Sequence, residues 1–223
     1  MPIGFRILPR TRKVDPSFVK RFRVLPVANV SDGMFRLTAG GARLRPLHGS
    51  GVMAGPALTV KSAPGDNLMI HKAIDVAEPG DIIVVDGGGE LTNSLIGELM
   101  LSHAITRGVG GFVINGAVRD ADAFPRRKLP VYAAGVTHRG PYKNGPGEIN
   151  VAIAIDGMVV EPGDLMLGDL DGVLCVPFEH LEAVCSASEA KKAAEDRMMA
   201  DIEAGKSDRA WVDETLQRLG CEM

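Results

Sequence analysis

The sequence predicts an α/β fold, a mixed β-sheet flanked by helices with a long carboxyl-terminal helix, and three observations carry the prediction. Between Gly55 and Gly135, stretches of strand character alternate with stretches of helical period. The run DIIVVDG is apolar without a break, as expected of a strand covered on both faces. From Gly147 the alternation stops, and short strands follow one another through DG, PGD and DLDG turns, which favours antiparallel pairing.

Taken in order, GPALTVKSA reads as a strand and DNLMIHKAIDVA as a helix. The helix places Leu68, Met69, Ala73, Ile74 and Ala77 near a 3.6-residue period, which suits it to cover a sheet face, and Glu78-Pro79-Gly80 stops it. DIIVVDG is the second strand, SLIGELMLSHAITRG the second helix, and GFVING the third strand, entering at Gly111 and ending near Asn115. VYAAG is a fourth strand after the proline-bounded FPRRKLP, and INVAIAIDGMVVEPGDLMLGDLDGVLCVP supplies the short strands. Phe178 to about Ala204 reads as one long helix. Residues 1–204 form a single domain with a basic amino-terminal arm; residues 205–223 form a tail whose Trp211 and Leu216 are available to dock on a neighbour.

The chain has 223 residues, 45% of them hydrophobic, enough for one full core. A net charge of −3 and a pI near 6.0 provide no basic field for nucleic acid. Arg6, Arg10, Arg12, Lys13, Lys20, Arg21 and Arg23 make the amino terminus locally basic, and with few aromatic stacking partners this reads as a solvated or subunit-contacting arm. The first thirty residues lack a signal-peptide apolar core, and no uninterrupted apolar span of about 18 residues exists, so a cytoplasmic protein without membrane association is expected. Cys175, Cys185 and Cys221 have an odd count and no CxxC spacing, against a disulfide scaffold or zinc site; Cys175 reads as core.

Arg119-Asp120 closes the GFVING strand, and Glu98, within the helix-like stretch SLIGELMLSHAITRG, precedes Arg119 by twenty-one residues. That spacing lets a guanidinium and two carboxylates converge at the carboxyl edge of a sheet, where α/β folds bind ligands. The ingredients are a hard-metal ligand, a fixed cation for an anionic substrate and a carboxylate able to move a proton. The turn DGGGELTNS either presents amides to an anion or simply joins strand to helix; without a GK[ST] terminus it is not a P-loop. His71 and His103 lie in helical patterns without metal-ligand partners and read as packing or surface residues. Lys61 forms a Schiff base only if desolvated. Gly65 to Asn67 turns the chain into its helix or lines the site, Asp86 is a candidate second-layer partner for a metal, and Asp169 and Asp171 shape the DLDG turn.

Gly97-Glu98-Leu99-Met100, GVGGFVINGAVRDADAF, VYAAG and EPGDLMLGDLDGVLCVP together resemble the RraA-like family, over about Val30 to Glu203. The family includes 4-hydroxy-4-methyl-2-oxoglutarate/4-carboxy-4-hydroxy-2-oxoadipate aldolases and regulators of ribonuclease E. The resemblance implies the swivelling β/β/α fold, a homotrimer or dimer of trimers, and a Mg²⁺- or Mn²⁺-dependent aldolase that releases pyruvate from small 2-oxo acids and also decarboxylates oxaloacetate. It implies that Arg119 binds the pyruvoyl unit, Asp120 holds the metal, Glu98 is the base, and the amides of Gly97 to Met100 receive the substrate carboxylate. A further acidic residue from a neighbouring subunit's carboxyl-terminal helix is expected to reach the metal waters; Glu195 is the candidate, with Glu189 and Glu203 as rivals. Two positions depart from the family pattern: Glu98 stands where aspartate is commoner, and Ala123 where an acidic residue is usual. Asp122 either compensates for Ala123 or caps a helix.

Overall fold

The computed structural model describes residues 3–38 and 40–222. β1 (Phe5–Ile7), α1 (Pro16–Phe22), α2 (Val27–Gly33) and β2 (Arg45–Pro46) lead into an alternating section. That section comprises β3 (Met53–Ser62), α3 (Leu68–Val76), β4 (Ile82–Asp86), β5 (Ser94–Ile96), α4 (Glu98–Thr106), β6 (Gly111–Val118), α5 (Ala123–Arg127) and β7 (Val131–Val136). The short strands β8 (Gly147–Ile149), β9 (Ile153–Ile155), β10 (Met158–Val160), β11 (Leu165–Gly168) and β12 (Val173–Val176) follow, then α6 (Leu181–Glu203) and α7 (Ala210–Arg218). The mixed α/β architecture and the long carboxyl-terminal helix are as the sequence predicts.

β3, β4, β6 and β7 pair in parallel, each reached through a crossover, and form the centre of a sheet ordered β1-β8-β3-β4-β6-β7-β2. In β4, Ile83 and Val85 pack with α3 and α4, whereas Ile82 and Val84 pack on the opposite face with β9, β10 and β12. The unbroken apolar run thus reflects two buried faces, each side chain contributing about 1.5–3 kcal/mol by leaving water. The short strands pair antiparallel as β9 with β10 and β11 with β12, and β11 also joins β3. α1, α2 and α6 cover the outer side of β11 and β12 through Phe22, Val30, Leu165, Leu174, Leu181 and Val184. From one side to the other, the layers are helix, sheet, short strands, helix.

The tail read over residues 205–223 carries helix α7, α5 reaches into the segment read as a proline-bounded connection, α6 starts at Leu181 rather than Phe178, and two boundaries beside the site also differ from the sequence reading. SLIGELMLSHAITRG is not one helix: Ser94–Ile96 forms β5, and α4 begins only at Glu98. GFVING continues past Asn115 to Val118, because β5 pairs alongside it at Ala117 and Val118. Helical period cannot reveal a three-residue strand whose partner lies beyond the helix.

The basic arm is neither free nor merely solvated, because most of its cations are paired with the body of the same chain. Arg6 meets Glu148 at 2.5 Å, Arg10 meets Asp81 at 2.9 Å, Lys13 meets Glu78 at 2.6 Å, and Arg21 bridges Glu182 and Glu189 on α6. Arg12 serves Glu161, Asp164 and Glu179 together. β1 then adds a parallel edge strand beside β8. Cys175 is buried and all three cysteines are free. Asp169 accepts the Asp171 amide, shaping its turn, and with its other oxygen caps the first amide of α2 at Val27. No described helix is long and apolar enough to cross a membrane.

Candidate active site

β6 delivers Arg119 and Asp120 to the carboxyl edge of the parallel strands. The Arg119 amide donates to Ile96 O at 3.0 Å, which ties the end of β6 to the end of β5. Asp120 then adopts φ +58°, a left-handed conformation that costs an ordinary L-residue roughly 1–2 kcal/mol and that aspartate tolerates better than most. Its Oδ2 accepts the amide of Glu98, the first residue of α4, at 2.9 Å. α4 has no side-chain cap of its own at Gly97, so Asp120 serves as one from across the chain. A Cβ on Gly97 would lie 2.5 Å from Asp120 Oδ2 and 2.9 Å from Arg119 Cγ. Glycine is therefore required by close approach, and it lets Gly-Glu-Leu-Met and Arg-Asp meet.

The first α4 ladder bond runs from Leu101 N–H to Gly97 O, so the Leu99 and Met100 amides precede the helical ladder, at the positive end of the helix dipole. They border a cavity of about 140 Å³ whose wall also includes Arg119, Asn67, His71 and Lys143. That is well below the ~300–1,000 Å³ of a site for a drug-sized ligand, and it suits a small molecule. No residue lining it is acidic: two fixed cations, a histidine and a helix amino terminus face it. The cavity is built for an anion.

The sequence-predicted residues separate here. Arg119, Gly97, Leu99 and Met100 line the cavity, and Asp120 adjoins it through Gly97 and Glu98. The Glu98 amide belongs to this cluster, but its carboxylate pairs with Arg127 at 3.0 Å and reaches Arg126 at 4.0 Å, both on α5. Glu195 lies on α6, bonded to Asn29 at 2.6 Å and to Lys191 at 3.2 Å, and does not line this chain's cavity. Rival Glu189 pairs with Arg21, and rival Glu203 closes α6.

Lys61 is exposed on β3, opposite the desolvation a Schiff-base lysine needs, and is not part of the cavity. Asp86 accepts from the Gly88 amide and the Asn115 side chain, which occupies it in the turn after β4. Asp122 precedes α5 but makes no capping bond, because Arg126 one turn on claims its carboxylate at 2.5 Å. DGGGELTNS runs into β5 rather than directly into a helix.

His71, read from the sequence as a packing residue, lines the cavity, and so do Asn67 and Lys143. Burial, and then the charge of Lys143, hold the His71 imidazole below its usual pKa of 6.5. Asp66 explains how these residues gather. It is buried, and its carboxylate accepts the amides of Leu68, Asn144 and Gly145, clasping the 141–146 loop to the start of α3. Asn67 and His71 lie one helical turn apart, a spacing visible in the sequence; Lys143 arrives from a loop that no local signal ties to them.

Among the described residues no three His, Cys, Asp or Glu side chains group as a metal site. Asp120 is half-exposed and, among the described residues, only its Oδ2 takes a hydrogen bond. One carboxylate with water in the remaining positions is an arrangement that fits Mg²⁺.

The RraA-like profile, described as Aldolase/RraA, matches residues 27–175, which contain this whole site. The chain belongs to the RraA-like family. A relative from Halalkalibacterium halodurans named "Putative 4-hydroxy-4-methyl-2-oxoglutarate aldolase" is 38% identical, covering 85% of this chain and 91% of its own. Among solved structures, an uncharacterized protein from Pseudomonas syringae pv. tomato superposes with a TM-score of 0.76 at 26% identity, over 86% of this chain and 95% of that one. The RNA-processing inhibitor RraA from Thermus thermophilis has a TM-score of 0.63 at 30% identity, over 68% of this chain and 92% of its own. The Thermus protein, shorter than this chain, thus shares much of its fold. The profile itself stops before α6 and leaves out the ion-paired arm.

Proposed function

We propose that this RraA-like chain is a divalent-metal-dependent aldolase that cleaves 4-hydroxy-2-oxo acids such as 4-hydroxy-4-methyl-2-oxoglutarate to pyruvate and a second oxo acid. The carrying observation is the cationic cavity between Arg119 and the α4 amino terminus, with the Asp120 carboxylate at its edge. Arg119 and the Leu99 and Met100 amides bind the 1-carboxylate and 2-oxo end, fixing the C3–C4 bond. Glu98, acting through a water, accepts the C4 hydroxyl proton. As the C3–C4 bond breaks, C4 becomes a carbonyl, and the electron pair passes to C3 and the 2-oxo oxygen, where Arg119 stabilises the charge; the proton taken by Glu98 and its water then returns to C3 and completes pyruvate. Mg²⁺ or Mn²⁺ at Asp120, when bound, supplies Lewis-acid polarisation of the 2-oxo group. Oxaloacetate decarboxylation uses the same charge stabilisation without a hydroxyl to deprotonate.

The proposed assembly is a trimer or dimer of trimers. Its support is the outer half of α6, which projects exposed Met198, Met199 and Ile202 beside Glu195. In such an assembly Glu195 leaves its own Asn29 contact or shares it.

The experiment is pyruvate release from 4-hydroxy-4-methyl-2-oxoglutarate and from oxaloacetate, with Mg²⁺ and with excess EDTA. Turnover that disappears on chelation and returns with metal supports the proposal. Absence of turnover on both by folded protein removes it and favours a binding role such as the RNA-processing inhibition named for the Thermus relative.

A further inference from the structure

Asn67 sits at the turn into α3, is 2% exposed, and lines the cavity. Its amide orientation is set by its neighbours. Nδ2 donates to Leu95 O at 2.9 Å and lies 3.2 Å from Met100 Sδ, so both hydrogens are directed. Flipping the amide would place its oxygen against the Leu95 carbonyl, acceptor against acceptor. Oδ1 is consequently left facing no donor: it is buried and has no hydrogen-bond partner. A buried acceptor without a partner is costly, and one on a residue that lines a binding cavity calls for a donor brought by the ligand.

His71 also brings one acceptor nitrogen when neutral, but it is only partly buried, so Asn67 Oδ1 is the wall acceptor shut off from water. Arg119, Lys143 and the α4 amides are themselves donors and satisfy the acceptor atoms of an oxo acid. A molecule made only of carboxylate and oxo groups has no hydrogen to offer Oδ1, whereas a hydroxy acid does. We infer that Asn67 Oδ1 accepts the hydroxyl hydrogen of the bound acid in the resting complex, before that hydrogen turns to the water of Glu98 for cleavage, and so selects 4-hydroxy-2-oxo acids over their deoxy counterparts. The inference rests on the substrate class proposed above. In the free protein solvent does not reach this oxygen, and the flexible thioether of Met100, in contact with the same amide through Nδ2, is the neighbour able to move for a ligand. Asp66, by clasping Asn144 and Gly145 to the start of α3, holds Asn67 in register while this happens.

The test is equilibrium binding by calorimetry in EDTA, where turnover is halted, of 4-hydroxy-4-methyl-2-oxoglutarate and 4-methyl-2-oxoglutarate, which differ only in the hydroxyl. Wild-type protein is expected to prefer the hydroxylated acid by about 10- to 100-fold. Asn67→Leu is expected to bind the two acids alike. Equal binding by the wild type, binding of neither, or a preference that survives Asn67→Leu overturns the inference. Should Asn67→Leu fail to fold, the wild-type preference alone decides. A wild type that prefers the hydroxy acid yet never releases pyruvate with Mg²⁺ leaves the inference standing and removes the aldolase, so the two failures are distinct.

Discussion

Gly97 is the smallest residue of the site and the one whose replacement is most informative. Its missing Cβ is the space that Asp120 Oδ2 and Arg119 Cγ occupy, so Gly97→Ala must displace one or both. A displacement near 1 Å at positioning groups is expected to lower kcat/KM for pyruvate release by about 10²-fold. Circular dichroism checks that the fold is kept, and an unimpaired variant would show that the Arg119–Asp120 cluster is not the reacting centre. Glu98 separates the two proposed activities. Because only the hydroxy acid gives up a hydroxyl proton, Glu98→Gln is expected to slow its cleavage by about 10²-fold or more while oxaloacetate decarboxylation stays within a few-fold. Equal losses on both substrates would place Glu98 in binding instead.

His71 carries a pH signature. Burial favours its neutral form, so its folded pKa lies below the ordinary 6.5, and the positive charges of Lys143 and His103 act in the same direction against the single opposing Asp75. Well above pH 6.5 the imidazole is neutral in both states. As pH falls below 6.5 the unfolded chain takes up the proton first, and this part of the stability is lost down to the lower folded pKa. NMR titration is expected to place the His71 midpoint below 6.5, and denaturation of His71→Gln to show a weaker decline between pH 7 and 5 than the wild type, the midpoints compared at about unit spacing. From sequence His71 reads as a packing or surface residue, having no His or Cys at metal-ligand spacing, and most of the residues that share its cavity come from distant segments. Arg119 and Asp120 were legible because they sit together at the end of an apolar strand.

Among elements, the central strands and crossover helices follow from local pattern, since burial on two faces leaves an unbroken apolar run and burial on one leaves a 3.6-residue stripe. β5 was hidden because it is only three residues long and exists by pairing with the far end of β6. The amino-terminal arm was legible as basic, whereas its role depends on carboxylates more than sixty residues away. Arg12 is the strongest example: it approaches buried Asp164 to 3.0 Å while also engaging Glu161 and Glu179. Arg12→Ala leaves that carboxylate without its cation and is expected to cost about 1–3 kcal/mol of stability at pH 7. Burial already raises the Asp164 pKa above 3.8, so its ionised form works against folding. The deficit is therefore expected to narrow as pH falls toward about 4 and the carboxyl protonates. Urea denaturation at two pH values measures it; a deficit independent of pH would assign the loss to packing of the arginine stem.

For the whole molecule, the open question of assembly has a direct measurement. The outer turns of α6 and the following α7 bury no side chain, and they present Met198, Met199, Ile202, Trp211 and Leu219 to solvent. Apolar surface of this kind is commonly covered by a partner. Sedimentation is expected to give a multiple of the 23.6 kDa chain mass, with three or six copies, and Met199→Glu combined with Ile202→Glu to shift it toward the monomer. A wild type that sediments as a monomer would end the proposal that Glu195 completes a neighbour's site. The sequence alone determined the α/β class, the antiparallel carboxyl half, the long carboxyl-terminal helix and the Arg-Asp pair, because each is written in local periodicity or adjacent residues. Only the tertiary structure decided that Glu98 turns its carboxylate to α5, that Lys61 is exposed, and that Asn67, His71 and Lys143 share one wall with Arg119. Those facts depend on which side chains meet across strands and loops, and the free energy that selects such meetings is a property of the packed whole.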